Sequence, residues 1–111
     1  MSTTTLPSVA VRVVKGAQLL DRCRPGWATE VNPDRLDLRL EEDDVLGQLY
    51  GTYHLGLDEL TVCEPAAARC PGGLAVWHGF QVHDADPPAV YAQLTAAWRA
   101  AVARRRGDGA R

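Results

Sequence analysis

Cys63, Cys70, His78 and His83 are soft ligands and potential nucleophiles or bases, set at intervals of seven, eight and five residues. Clustered thiolates and imidazoles could hold zinc, and a thiolate activated by imidazole could attack an electrophilic carbon. The intervals argue against the metal, because structural zinc sites pair ligands about two to five residues apart on tight turns, and no Cys-x-x-Cys knuckle is present. The nucleophilic reading needs only proximity in space, which a sequence does not supply. The chain has no GxSxG elbow, no HExxH helix and no dinucleotide fingerprint. No residue is therefore assigned a catalytic role, and neither a metal site nor a cofactor is expected. With three cysteines, an odd number lacking the spacing of a secreted framework, the expectation is reduced thiols.

Two charged stretches invite chemistry of another kind. The acidic run from Asp34 to Asp44, "DRLDLRLEEDD", lacks the alternating oxygen ligands and central glycine of a calcium loop. Its Glu41, Glu42, Asp43 and Asp44 are better placed to cap the helix that follows. Arg104, Arg105 and Arg106 suit the negative pole of a C-terminal helix, as solvated charge that compensates its dipole. The glycines of "VLGQLYGTYHLGL" (Gly47, Gly51 and Gly56) lack the preceding strand and the following Lys or Ser/Thr of a phosphate loop. They are read as positions of close backbone approach or as left-handed caps.

The elements that must position these residues are mainly helical. "SVAVRVV" alternates like a strand, yet Val9, Val13, Ala17 and Leu20 also recur at helical intervals and Pro25 stops the segment, so a helix is expected over 9–23. "RPGW" turns the chain and returns Trp27 to the core. "NPDRL" begins a short helical turn, and "DLRLEEDD" is read as coil. Val45, Leu46, Leu49, Tyr50, Tyr53, Leu57 and Leu60 then fall on one helical arc. A short helix fits between Pro65 and Pro71. "GLAVWHGF" reads as a helical turn closed by Gly79, with Phe80 folding back in a Schellman cap. In the last helix Asp86 is placed to cap and Pro87 to sit in the first turn, while Val90, Tyr91, Leu94, Ala97, Trp98, Ala101 and Val102 make the apolar stripe.

A chain of 111 residues with 46% hydrophobic and 23% charged residues is long and apolar enough for one core, which excludes general disorder. A net charge of −2 argues against non-specific nucleic-acid binding. No apolar run approaches the roughly 18 residues of a membrane span, and no basic start leads into an apolar signal core, so a cytoplasmic protein without membrane contact is expected. The fold class expected is mainly α, a small single-domain bundle of about four helices with Gly/Pro-rich connections. Its helical domain would cover 6–106, with frayed termini at 1–5 and 107–111.

"GAQLLD", "PGW", "LDL", "VLGQLYG", "HGF" and "LTAAW", in this order over about residues 16–98, resemble a group of small uncharacterised proteins from actinobacteria and the phages that infect them. Those relatives often carry cysteines just before the "VLGQLYG" segment, where this chain has "EEDD". The resemblance implies a shared compact fold and brings no activity, substrate or cofactor. The expected role is accordingly an interaction or regulatory module that shows an aromatic-edged patch to a partner protein. Tyr53, His54, Trp77 and His78 are its candidate binding residues, because each flanks or follows a glycine break from which a side chain can project. The alternative is a small enzyme or ligand-binding protein using the same aromatic and histidine-edged groove.

Overall fold

The computed structural model describes residues 7–70, 73–84 and 86–110, with side chains through residue 107. Within them lie six α-helices and one 3-10 turn, and no strand. They are α1 (Val9–Cys23), α2 (Trp27–Glu30), α3 (Val45–Tyr50), α4 (Tyr53–Cys63), the 3-10 turn Pro65–Arg69, α5 (Gly73–Trp77) and α6 (Val90–Ala110). The mainly helical expectation holds, but with six helices rather than about four, because the arc from Val45 to Leu60 is divided at Gly51–Thr52 into α3 and α4, and Trp27–Glu30, from the end of the RPGW turn, form the short α2. The expected frayed segment 1–5 lies outside the described residues.

Helix α1 has the bounds its periodicity predicts. Ser8 caps it by accepting from the Val11 N–H at 3.3 Å, and Val13, Ala17 and Leu20 are buried along one face. Gly16 is the point of closest approach on that face: a Cβ there would stand 2.0 Å from the His78 carbonyl and 2.8 Å from the Trp98 ring. Helix α6 lies against α1 at this point and buries Val90, Leu94, Trp98, Ala101 and Val102, the stripe its sequence shows. Trp98 is fully buried, stacked on Phe80 and edge-on to Trp27 at centroid distances of 5.2 and 5.7 Å. Its Nε1 donates to the Gly79 carbonyl at 2.7 Å.

The glycine-rich stretch is two helices. Asp44 caps α3 by accepting from the Gly47 N–H at 2.5 Å. Gly51, at φ +97°, ends it in a conformation that side-chain-bearing residues rarely adopt. Thr52 then caps α4, accepting from the Leu55 N–H at 3.1 Å. The other two glycines are contact positions. A Cβ on Gly47 would meet the Glu41 carbonyl at 2.0 Å, and one on Gly56 would meet Leu46 Cβ at 2.6 Å. Gly56 thus lets α4 fold back on α3, and the glycines serve packing and capping.

Three further expectations are corrected. Cys23 and Cys63 form a disulfide, Cα–Cα 5.9 Å, that joins the C-terminal ends of α1 and α4; only Cys70 is a free thiol among the described residues. The bidentate pair between Arg22 and Glu64, both bonds 2.7 Å, clamps the same junction from the neighbouring positions. Asp86 does not cap α6, which begins four residues later. Its carboxylate is taken by buried Arg12 at 3.0 Å and by the His83 N–H at 2.8 Å. Nor is the arginine run simply solvated. Arg105 forms a bidentate pair with Asp21 and lies over the Trp27 ring, and Arg106 donates to the Val31 carbonyl at 3.1 Å. The α5 cap matches its prediction, with Phe80 N–H bonding the Ala75 carbonyl and Gly79 N–H that of Val76.

Candidate functional site

The segment 32–44 has no regular structure but is firmly held. Gln48 of α3 accepts from the Asn32 N–H and donates to the Asn32 and Asp43 carbonyls. On the other side Thr95 of α6 accepts from the Leu38 N–H at 3.1 Å while donating to the Tyr91 carbonyl at 2.9 Å. Arg99, one helical turn on, donates to the carbonyls of Pro33 and Leu36 at 2.9 and 3.1 Å. Leu36 and Leu38 are buried beneath these pins. The result is a loop fixed beside α6.

Between loop and helix runs a trough of about 510 Å³, walled by Leu36, Asp37 and Arg39 on one side and Pro88, Ala89, Tyr91, Ala92, Thr95 and Arg99 on the other. Arg39 and Tyr91 also line a smaller pocket of about 140 Å³, so the two cavities adjoin. Leu38, Glu41, Asp44, Tyr53, Phe80 and Gln81 complete this second pocket. Four separated stretches of chain meet there: the loop, the first residue of α4, the residues after α5 and the start of α6.

The electrostatics differ along the groove. Arg39 pairs with Asp37 at 3.5 Å, and the Asp37 carboxyl is held below its ordinary value chiefly by the Arg39 N–H, with the Arg39 and Arg99 charges adding to it. At the pocket end Asp44 is 3% exposed. Burial pushes its carboxyl up to about 7 against the cap bond from Gly47, and the charges acting on it, Glu41 and Asp43, are both negative. Tyr53 is half-buried, and burial followed by the Asp44 charge pushes its phenol up to about 12. Its hydroxyl hydrogen-bonds Gln81 Oε1.

Of the four binding candidates, Tyr53 lines this pocket and His54 stands beside it. Their rings meet edge to face at 5.2 Å, and His54, exposed at the rim, reaches Glu41 Oε1 at 3.4 Å. Trp77 lies elsewhere, half-buried on α5 with the Lys15 ammonium 5.2 Å from its ring centre. His78 is buried, its Nδ1 2.8 Å from the Leu74 carbonyl, and burial lowers its pKa. Of the cysteine and histidine set, Cys63 is bonded to Cys23, and among the described residues no three His, Cys, Asp or Glu side chains are grouped so as to hold a metal ion.

Sequence reasoning missed Arg39, Asp44, Gln81, Tyr91 and Arg99 as groove residues. For Asp44 a signal was present, since the last acid before an apolar helix is the natural N-cap and a capping side chain next to buried leucines is itself drawn inward. For the others no local pattern exists, because each belongs to a different segment.

No protein-family model matches this chain, and neither does any curated protein or any solved structure. No helix among the described residues is long and apolar enough to cross a membrane.

Proposed function

We propose that this protein is an interaction module that holds an extended segment of a partner protein in the groove between the 36–44 loop and α6. The observation that supports it is the continuity of the trough with the Tyr53 pocket through Arg39 and Tyr91. An open channel with an aromatic-walled pocket at one end is the shape in which backbone lies along the floor and one side chain anchors. The loop wall is held in advance by Gln48, Thr95 and Arg99, which lowers the ordering cost of binding. Tyr53 and His54 belong to this surface. Trp77 and His78 lie outside it.

Nucleic acid is not part of this reading, because Arg105 and Arg106 are engaged within the fold and the chain carries a net charge of −2. The cytoplasmic expectation rests on the lack of an apolar span and of a signal core, and the Cys23–Cys63 bridge weighs against it, since a bridge of this kind persists best in an oxidising compartment. The resemblance to actinobacterial and phage proteins adds a shared compact fold and no ligand.

The test is a nuclear magnetic resonance titration of the full chain with a mixed library of capped tetrapeptides. Shifts confined to Tyr53, Gln81, Tyr91, Ala92 and the 36–41 loop are expected. Shifts centred on Trp77, or none at all, would refute the groove reading.

A small enzyme or ligand-binding protein using the same groove is the second reading, favoured by one observation: a buried carboxyl titrating near neutrality beside a tyrosine is an arrangement found at acid–base sites. Mass spectrometry of the purified protein under native conditions separates the two, since a retained small molecule supports the second.

A further inference from the structure

Resting on the peptide-groove reading, we infer that the bound segment carries a lysine or arginine whose side chain enters the pocket of Asp44, Glu41 and Tyr53, while its backbone continues along α6 past Arg39. Three observations converge on that occupant. The first is size, because about 140 Å³ accommodates one long side chain and the adjoining trough of about 510 Å³ is far larger than a lone amine would need. The second is the lining. Leu38 and Phe80 are buried apolar walls for a methylene stem, and Tyr53 and Tyr91 in the same lining are aromatic rings of the kind that attract a cation.

The third is charge. The charged groups acting on Asp44 are Glu41 and Asp43 from the loop, and Tyr53 from α4, Tyr91 from α6 and the neutral Gln81 from the residues after α5 share its pocket. Arg39 is the basic residue of the lining, and it is paired with Asp37. His54 stands outside at the rim, against Glu41. A buried carboxyl whose charged neighbours are negative holds its proton near neutral pH. An entering cation supplies the missing counter-charge, so binding drives that proton off Asp44 into solvent.

The experiment titrates the full chain with the capped peptide Ala-Arg-Ala-Ala and with its citrulline counterpart, which has the same shape without the charge. Calorimetry is run near pH 6.5 in two buffers of different ionisation enthalpy. The arginine peptide should bind about tenfold tighter or more than the citrulline peptide, with release of a proton that makes the heat buffer-dependent. Asp44→Asn keeps a side chain able to cap α3 and should abolish both the preference and the proton release. Glu41→Gln, at an exposed side chain, should leave the circular dichroism spectrum unchanged and weaken the arginine peptide several-fold. Equal binding of the two peptides in the groove would overturn this inference and leave the peptide-groove reading standing. Ethylguanidinium binding as tightly as the peptide would overturn the choice of a protein segment. No perturbation of groove residues by either peptide would sink both.

Discussion

The Trp98 seam and the Asp44 pocket bury polar groups equally well and treat them in opposite ways. At the seam the indole N–H meets the Gly79 carbonyl at 2.7 Å, and the ring is enclosed by Phe80, Trp27 and the bare backbone of Gly16. Every group there is matched within the fold. At the pocket Asp44 has a cap bond from Gly47, the charges that act on it, Glu41 and Asp43, are negative, and it lines a groove. A site whose demands are met internally stabilises the fold, whereas a buried carboxyl at a cavity wall that keeps its proton for want of a counter-charge is suited to a ligand.

The sharpest way to break the seam is Trp98→Ala. Loss of a fully buried indole, together with an orphaned Gly79 carbonyl, should cost about 5 kcal/mol, comparable to the whole stability of many small domains. Chemical denaturation monitored by circular dichroism measures it. A loss below about 2 kcal/mol would mean that the seam is not the core of the fold.

The disulfide ties the two regions together, since α1 belongs to the seam and α4 carries Tyr53. Closing a loop with a sequence separation of 40 should stabilise by about 4 kcal/mol on the chain-entropy account. Thiol titration of the unfolded, unreduced chain should find Cys70 alone. In the Cys23→Ser, Cys63→Ser protein, hydrogen exchange should quicken in α3 and α4 more than in α6. Equal acceleration throughout would show that the bridge constrains the whole molecule rather than one side of it.

Asp44 sets a pH dependence of definite sign. Its carboxyl titrates near 7 in the folded protein against 3.8 for the unperturbed group. The folded state therefore binds the extra proton. This contribution to stability is complete below about pH 4 and is lost as pH rises through about 7, an upper bound of about 4 kcal/mol. Asp21, Glu30, Asp37, Glu64 and Asp86 have lowered pKa values and act the other way, losing stability as pH falls. The difference between the native protein and Asp44→Asn isolates the Asp44 part. Asparagine should narrow the stability gap between pH 5 and pH 8; an unchanged gap would show that the carboxyl titrates normally.

The seam was more legible in the sequence than the pocket, for physical reasons. Pro25 and the helical recurrence of Val13, Ala17 and Leu20 mark α1 with local information, and the Val90-to-Val102 stripe does the same for α6. The break at Gly51–Thr52 was only half legible: Gly51 reads as a close-approach position or a left-handed cap, while Tyr50 and Tyr53 keep helical phase across it and the apolar arc runs on unbroken. Asp86 looked like a cap, but the distant Arg12 and the His83 N–H take its carboxylate. The Cys23–Cys63 pairing has no signature in spacing. The pocket combines Arg39, Tyr53, Gln81 and Tyr91 from four segments, a convergence that no periodicity encodes.

The smallest effect concerns the outer edge of the seam, where Arg105 meets Asp21 and Trp27. The guanidinium makes two bonds to the carboxylate, at 3.0 and 2.7 Å, and lies 5.4 Å from the Trp27 ring centre. Asp21 also accepts from Trp27 Nε1 at 2.9 Å, so the three groups form one network. Both charged side chains remain part-exposed, at 30% and 45%, so solvent screens the pair and its worth should be about 1 kcal/mol. The stacked guanidinium adds a further fraction of that through its contact with the ring. A double-mutant cycle of Arg105→Ala and Asp21→Ala should return a coupling of about this size, shrinking in high salt. The Arg105 hydrogen bond is foremost in lowering the Asp21 pKa, so the coupling should also fade as pH falls through that depressed value. Arg104→Ala, changing an exposed neighbour in the same run, is the control and should change little. Equal losses from Arg104→Ala and Arg105→Ala would mean that the run acts only as helix-end charge, and the seam would then end at Trp27.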